Sequence, residues 1–322
     1  MPAPKSSGLD IGQLPEVLEA WLRAGRMRQM SPKTLSERKR ILSLFISFCQ
    51  SQGFGQLTRL CIEEFLAALG SKDRPWESGS GQPVVALKAI SVQSYYRMIR
   101  AFVNWAVEEE YIEVNPMAKM KPPIARPDQV QPLTQDQVHR LLTAAKASQY
   151  PMRNVALISL ILDSGLRASE VCNLTQADLD CESWSLRVLG KGNKKRTVYL
   201  GSRASQKALA NYLRLEERQD DDPIFLSERG ASCKLTAFTP HGILFVVNSC
   251  AHAAGLGNIG PHKLRHTFAF NFIRGGGTEF TLQTMLGHTS LVMTRKYVNL
   301  AGADMSAQAR AVGTLDSVMK KR

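Results

Sequence analysis

The segment His262-Lys263-Leu264-Arg265-His266 places two cationic and two imidazole side chains within five consecutive residues. A helix is expected to begin near His262. The run Gly275-Gly276-Gly277 is expected to end it, because glycine commonly follows the last turn of a helix. Guanidinium groups bind phosphate oxygens in pairs, and histidine exchanges protons near neutral pH. The segment therefore carries side chains of the kinds that can bind phosphate and exchange protons.

Three other segments of the C-terminal half share this character, since each combines glycine with cationic or imidazole side chains. They are Ser164-Gly165-Leu166-Arg167-Ala168-Ser169-Glu170, Gly190-Lys191-Gly192-Asn193-Lys194-Lys195-Arg196 and Leu286-Gly287-His288. Tyr297 follows the last of them by nine residues. Cleavage of a phosphodiester by a side chain needs a nucleophile, cations for the non-bridging oxygens and an acid for the leaving oxygen. The four segments and Tyr297 supply all three.

The composition is that of a globular protein with a polyanionic partner. The 322 residues, 44% of them hydrophobic and 21% charged, are enough for two domains with separate cores. The formal net charge of +13 suits nucleic acid, although a basic surface kept only for solubility would give the same charge. The chain lacks an apolar run long enough for a membrane span and lacks a signal-peptide core, so a cytoplasmic protein is expected.

No cofactor and no metal site are expected. The sequence contains no HExxH zinc motif. Its six cysteines are scattered without a CxxC pair, and in a cytosolic chain they are expected to be reduced thiols.

Helical signals dominate the N-terminal half. Ser31-Pro32 is a favourable helix start, with serine as N-cap and proline at the first position. A second helix is expected after Ser91, and a loop at Ser71–Pro83. Both helices carry apolar residues at helical spacing, namely Ile41, Leu44, Phe45, Phe48 and Cys49 in the first and Tyr95, Met98, Ile99, Phe102 and Ala106 in the second.

The C-terminal half follows a proline-rich linker within Lys119–Pro132 and opens with a capping box at Thr134 and Gln137. Trp184, Leu186 and Val188 alternate like a strand. A turn at 190–193 and a returning strand at 197–200 complete a hairpin, and further helices are expected from about Thr239 and Glu279. The expected fold is mainly α with a small antiparallel β-sheet.

Together the four segments resemble the catalytic domain of the tyrosine recombinase (phage integrase) family, with Xer-type recombinases as the nearest pattern. The order matches, and so do the spacings: 24 residues from Arg167 to Lys191, 23 from Arg265 to His288 and nine from His288 to Tyr297. The resemblance implies a helical, DNA-binding core-binding domain at 1–122, a linker at 123–132 and an α+β catalytic domain at 133–322 that ends in a protomer-docking tail. Asn271 and Phe272 depart from the Xer pattern, which weakens assignment to the Xer proteins proper.

The resemblance also implies a role for each site residue. Tyr297 is the expected nucleophile. Two arginines, Arg167 and Arg265, clamp the phosphate, and Lys191 protonates the leaving 5′-oxygen, with Lys194, Lys195 and Arg196 as rival candidates for that role. Of the imidazoles, His262 exchanges a proton with the tyrosine and His288 donates to a non-bridging oxygen, while Glu170 orients its neighbours. The nearby cations are expected to lower the pKa of Tyr297 from about 10. Read as an isolated histidine, His266 is expected to pack or cap within its helix.

Contacts with DNA are expected from further basic residues, namely Arg38, Arg97, Arg100, Lys194, Lys195 and Arg196. The resemblance implies double-stranded DNA as substrate, a homotetramer on two duplexes, a Holliday-junction intermediate and an accessory protein as an optional partner. It leaves open whether the recombinase integrates or excises a mobile element or resolves cointegrates or chromosome dimers. Two other functions fit the same residues, a type IB topoisomerase and a DNA-binding protein with an inactive catalytic domain.

Overall fold

The computed structural model describes residues 8–71, 85–125, 131–190, 195–215, 217–229, 234–287, 291, 294–295 and 297. Most of the predicted loop at Ser71–Pro83, Lys191, Lys194, His288 and the tail after Leu300 lie outside the described residues. The chain divides into two compact units, residues 1–128 (the N-terminal unit) and residues 129–322 (the C-terminal unit). Within the described parts of the chain, no helix is both long and apolar enough to cross a membrane.

The described residues of the N-terminal unit form four α-helices: α1 Leu14–Met27, α2 Pro32–Ser51, α3 Arg59–Ala68 and α4 Ala89–Glu108. The predicted start of α2 is confirmed, because the Ser31 hydroxyl accepts a hydrogen bond from the Thr34 amide at 3.2 Å. The start predicted for α4, after Ser91, was three residues too late. Ala89 is a strong helix former and extends the helix ahead of Ser91.

Aromatic side chains fill the core of the N-terminal unit. Trp21 of α1 contacts Phe102 of α4 edge to face, with ring centroids 5.4 Å apart, and Phe45 of α2 contacts Phe65 of α3 in the same way at 5.2 Å. The apolar positions predicted for α4 lie in this core, with Met98 only partly buried. Edge-to-face pairs add about 0.5–1.5 kcal/mol beyond the burial of their area, so these contacts hold the four helices together.

The described residues of the C-terminal unit alternate helices with two short sheets. Its helices are α5 Gln135–Lys146, α6 Pro151–Ser164, α7 Ala168–Cys172, α8 Arg203–Leu213, α9 Pro240–Ala253, α10 Pro261–Arg274 and α11 Glu279–Leu286. Its strands are β1 Leu179–Asp180, β2 Ser185–Leu189, β3 Lys195–Tyr199, β4 Leu226–Arg229 and β5 Lys234–Ala237. The predicted capping box of α5 and the stop of α10 before Gly275 are both confirmed.

The three-stranded sheet has the order β1-β2-β3, and both of its strand pairs are antiparallel. Leu186 of β2 lies opposite Val198 of β3, and both are fully buried, so the predicted strand pairing is confirmed. The returning strand begins two residues earlier than predicted, and most of the predicted turn lies outside the described residues. The two-residue strand β1 and the separate β4–β5 hairpin were not predicted. The fold is mainly α with small antiparallel sheets, as the sequence indicated.

Helix packing within the C-terminal unit brings the basic segments together. Helix α6 packs against α10, and α11 contacts both α10 and β3. The end of α6 leads directly into Arg167, α10 carries Arg265, and the hairpin β2–β3 carries Arg196. Segments that are distant in sequence therefore meet around one point of this unit.

Candidate active site

Gly165 shapes the turn that presents Arg167. It ends α6 in the left-handed conformation, with φ of 65°, which favours glycine. Its carbonyl accepts a hydrogen bond of 2.6 Å from Nη1 of Arg265 on α10. A Cβ atom at this position would lie 2.3 Å from Cδ1 of Phe268 and 2.7 Å from Cδ2 of Leu286. The turn is thus open only to glycine, which explains the Ser-Gly-Leu-Arg sequence.

Replacing Gly165 with alanine is expected to destabilise the C-terminal unit by roughly 2–4 kcal/mol, because the left-handed backbone and the overlap with Phe268 both oppose a side chain. The same change should also displace Arg265, since it moves the carbonyl that accepts a hydrogen bond from that guanidinium. Hydrogen exchange along α6 and α10 measures the first effect. Gly201→Ala is the control, because a Cβ there meets open space. Equal exchange in the two variants would contradict the argument.

Glu170 is the centre of a network of three arginines. Its side chain is 5% exposed, and both of its oxygens accept hydrogen bonds from Arg196, at 3.0 Å and 2.9 Å. Arg167 donates from Nη1 at 2.8 Å and from its backbone amide at 2.8 Å. The guanidinium of Arg265 lies 3.9 Å away. Burial alone would raise the pKa of Glu170, but the hydrogen bonds from Arg196 and Arg167 outweigh it and lower the pKa. The carboxylate is therefore ionised at neutral pH.

The network carries an excess of positive charge. Three guanidinium groups surround one carboxylate, which leaves a formal charge of +2. The side chain of Arg167 is 29% exposed, whereas those of Arg196 and Arg265 are 10% and 5% exposed. The excess charge is accessible to an outside anion mainly through Arg167. Fixed, paired donors of this kind suit a phosphate.

Arg265 is held by main-chain carbonyls as well as by charge. Its Nη1 donates to Gly165 O, and its Nη2 donates to Leu286 O at 2.7 Å. Burial and the nearby Arg167 lower the pKa of Arg265 to about 10, which still leaves it protonated at neutral pH. Two elements, the α6 turn and the end of α11, thus fix the guanidinium in place.

Tyr297 is buried beside this network. Only 3% of its surface is exposed, and its hydroxyl forms a hydrogen bond with Nδ1 of His266 on α10. The expected fall in its pKa is not what the structure gives. Burial raises the pKa of Tyr297 to about 12, and the opposing attraction of Arg265 is too weak to reverse that. The phenol therefore keeps its proton at neutral pH.

The role expected for His266 was wrong. Instead of only packing within its helix, its ring contacts Tyr297, with centroids 5.5 Å apart and planes inclined by 44°. One signal could have indicated this contact. His262 and His266 are four residues apart on α10, and residues at this spacing share a helix face. A tyrosine expected near one of them could equally meet the other.

The remaining expected site residues differ in their surroundings. His262 is exposed at the start of α10, and Lys195 is exposed at the start of β3. The expectation that Arg196 contacts a DNA phosphate does not fit its geometry, because its guanidinium points inward to Glu170 and to Met285 O at 2.8 Å. The positions of Lys191, Lys194 and His288 lie outside the described residues.

The three arginines expected to contact DNA from the N-terminal unit lie on its helices. Arg38 of α2 is partly buried and stacks on Trp21, with its guanidinium carbon 4.0 Å from the ring centroid. Arg97 and Arg100 of α4 are exposed, and they donate to the side chains of Gln93 and Tyr96 at 2.8 Å and 3.3 Å. Arg97 and Arg100 are therefore open to solvent, whereas Arg38 is partly occupied by packing.

Metal ligands do not cluster in the described structure. Among the described residues, no group of three or more His, Cys, Asp or Glu side chains is placed to hold a metal ion. The charged groups that converge around Glu170 are guanidinium groups, which bind anions and cannot ligate a cation.

Comparison with known proteins identifies the family. The phage integrase family matches residues 131–303, and the phage integrase SAM-like domain matches residues 20–122. A tyrosine recombinase XerC from Pelobacter propionicus is 30% identical over 284 residues, which is 85% of this chain and 87% of the relative.

Two solved structures share the fold. XerH recombinase bound to a palindromic difH substrate has a TM-score of 0.67 at 20% identity, covering 95% of this chain and 85% of that one. The Tn1549 transposon integrase with circular intermediate DNA has a TM-score of 0.65 at 20% identity, covering 87% of this chain and 94% of that one.

The family match and the curated relative place the protein in the class of tyrosine recombinases, which are enzymes that cleave and rejoin DNA strands. The chain belongs to the phage integrase family, and its catalytic domain is Xer-like.

Proposed function

We propose that the protein recombines two specific DNA sites for a mobile element, through a 3′-phosphotyrosyl bond and a Holliday junction. The observation that carries the proposal is the position of Tyr297 next to Arg265, which is held with Arg167 around Glu170. A tyrosine hydroxyl beside paired guanidinium groups suits attack on a phosphodiester held by those groups.

In this mechanism Arg167 and Arg265 hold the non-bridging oxygens of the scissile phosphate. Tyr297 attacks the phosphorus, and the 5′-oxygen leaves with a proton from Lys191. His288 donates to a non-bridging oxygen, while Glu170 and Arg196 keep the guanidinium groups in register. A 5′-hydroxyl from a second strand then attacks the phosphotyrosine. The bond to tyrosine conserves the energy of the broken bond, so the reaction needs neither ATP nor a metal ion.

The proposed assembly is a homotetramer on two DNA duplexes in the cytoplasm, with an accessory protein as an optional partner. The core-binding domain at 1–122 contacts DNA through Arg97 and Arg100, whose exposure on α4 supports that role. The catalytic domain at 133–322 contributes Lys194 and Lys195. The segment after Leu300 docks on the next protomer, and its apolar residues Val312, Leu315 and Val318 support this.

Two observations support mobile-element recombination over chromosome dimer resolution. Asn271 and Phe272 depart from the Xer pattern. One structural neighbour is a transposon integrase in complex with circular intermediate DNA. The reactions consistent with the proposal are integration, excision and cointegrate resolution.

Inverted repeats in the DNA that flanks the coding sequence provide the test. Two copies of such a repeat are placed on one supercoiled plasmid and incubated with the purified chain. The proposal expects deletion or inversion that depends on the relative orientation of the two copies. A branched intermediate should also appear, linking two duplexes at the junction. A plasmid that carries a single copy is the control and should not rearrange.

Three outcomes would overturn all or part of the proposal. Relaxation of a plasmid that lacks the repeats would favour a type IB topoisomerase. Site-specific binding without any covalent DNA adduct would favour a DNA-binding protein with an inactive catalytic domain. Recombination at chromosome dimer sites in place of the flanking repeats would overturn the mobile-element role while leaving the chemistry intact.

A further inference from the structure

We propose that His266 accepts the proton of Tyr297 as the tyrosine attacks the DNA phosphate. This inference deepens the proposed function and rests on it. It differs from the role expected from the sequence, which gave proton exchange with the tyrosine to His262.

Contact geometry is the first argument. Nδ1 of His266 forms a hydrogen bond with the Tyr297 hydroxyl, and the two rings are in contact. A general base must lie within hydrogen-bond reach of the proton that it removes, and His266 meets this requirement. A neutral imidazole that carries its proton on Nε2 presents an unprotonated Nδ1 to the phenol.

Burial is the second argument. A phenol with pKa of about 12 is ionised in only about one molecule in 100,000 at neutral pH, so attack by a pre-formed phenolate would be rare. The group that most attracts the phenolate, Arg265, is a guanidinium and cannot take up a proton. A proton acceptor in contact with the hydroxyl removes this obstacle during the attack itself.

The placement of both residues on α10 is the third argument. Arg265 and His266 are consecutive, so one rigid helix holds the guanidinium near the proposed phosphate position and the imidazole at the nucleophile. The carbonyls of Gly165 and Leu286 hold Arg265 in place, and they thereby fix the rotation of α10 about its own axis. His266 is oriented by the same contacts.

The proposed step is balanced in protons and bonds. The O–H bond of Tyr297 breaks, a bond forms between Nδ1 of His266 and the proton, and the phenolic oxygen bonds to phosphorus. The bond from phosphorus to the 5′-oxygen breaks, and that oxygen takes its proton from Lys191. On rejoining, the incoming 5′-hydroxyl loses its proton to Lys191, and the departing tyrosine regains its own from His266.

The experiment measures the rate at which the full chain forms a covalent adduct with a nicked duplex carrying the repeat defined above. Removal of a general base costs roughly 100- to 10,000-fold, and we expect His266→Leu to slow adduct formation by that factor. His266→Asn keeps an acceptor oxygen for the phenol but cannot hold its proton, so it should be similarly slow. His139→Asn, at an exposed position on α5, should match the wild type.

Three further readouts separate proton transfer by His266 from positioning and from the role of Lys191. Free imidazole should restore part of the rate to His266→Ala, since it can enter the vacated space and take the proton. A fluorinated tyrosine of lowered pKa at position 297 should shrink the defect of His266→Leu. A substrate with a bridging 5′-sulfur, which leaves without protonation, should rescue Lys191→Ala and leave His266→Leu slow.

The outcomes are distinguishable. Wild-type rates in His266→Asn would overturn proton acceptance and leave His266 as a positioning residue. Proton acceptance would also be overturned if neither free imidazole nor the fluorinated tyrosine raised the rate of adduct formation in the slow variants. If the wild type forms no adduct at all, the proposed function itself fails. Equal binding of every variant to the repeat, measured in parallel, shows that each variant is folded.

Discussion

Tyr297→Phe is expected to abolish the covalent DNA adduct and all recombination while leaving site-specific DNA binding unchanged. The variant removes one oxygen, and that oxygen is the atom that would bond to phosphorus. Loss of a proton-transfer group leaves a slow reaction, but loss of the nucleophile leaves no route to the phosphotyrosyl bond. Denaturing electrophoresis of the nicked duplex after incubation detects the adduct as a protein-linked strand, and gel shift under native conditions measures binding.

Stability should change little in this variant, because phenylalanine fills nearly the same space. The hydroxyl hydrogen bond to His266 is lost, which costs about 1 kcal/mol. Tyr111→Phe is the matched control, since Tyr111 is 43% exposed and lies in the N-terminal unit. It should retain full adduct formation. An adduct that persists in Tyr297→Phe would assign the nucleophile to another side chain.

The site was predictable where a short segment fixes its own geometry. Gly165 and Arg167 belong to one turn, and the left-handed backbone of Gly165 together with the close approach of Phe268 explains why that turn requires glycine. The family resemblance implied that Arg265 and Tyr297 would meet at one phosphate, and Arg265 does lie close enough to affect the pKa of Tyr297.

Arg196 was harder to place because its surroundings depend on strand register. Its sequence context of three consecutive cations suggests an exposed, basic strand. In the structure Arg196 and the buried Val198 are two residues apart and lie on the same face of β3, while Lys195 and Tyr199 lie on the exposed face. The alternation of side chains along β3 could have indicated that Arg196 faces inward with Val198. Its partner, Glu170, comes from a distant segment, and no local sequence pattern identifies it.

The β4–β5 hairpin was missed for a related reason. Its first strand reads Leu226-Ser227-Glu228-Arg229, which carries no run of β-branched or aromatic residues. Pairing with Lys234–Ala237 holds the strand in place, with Leu226 opposite Ala237. Tertiary pairing of this kind overrides weak local propensity, so the helices were more predictable than the second sheet.

Glu170→Gln is expected to lower the free energy of unfolding of the C-terminal unit by about 3–5 kcal/mol and to reduce the rate of adduct formation. Removing one member of a buried ion network leaves the remaining charges uncompensated, and this usually costs that amount. Glutamine has nearly the same shape as glutamate, but its amide group would donate toward Arg196 where the carboxylate accepts. Hydrogen exchange across α6, α7 and β3 measures the loss without a contribution from the N-terminal unit.

The pH dependence of this stability difference identifies its origin. The pKa of Glu170 is lowered in the folded protein, because the hydrogen bonds from Arg196 and Arg167 outweigh its burial. A carboxyl group whose pKa is lower in the folded protein than in the unfolded chain stabilises the fold. This contribution is complete above the unfolded pKa of about 4.3, and it is lost as the pH falls through the pKa of the folded protein. The difference in free energy of unfolding between the wild type and Glu170→Gln should therefore be constant from neutral pH to about pH 5 and should decrease below about pH 4.

The control is Glu182→Gln, at an exposed position. Its free energy of unfolding should stay within about 0.5 kcal/mol of the wild type at every pH. If Glu170→Gln behaved like this control, the carboxylate would contribute nothing to holding the three arginines together. The excess charge at Arg167 would then need another explanation.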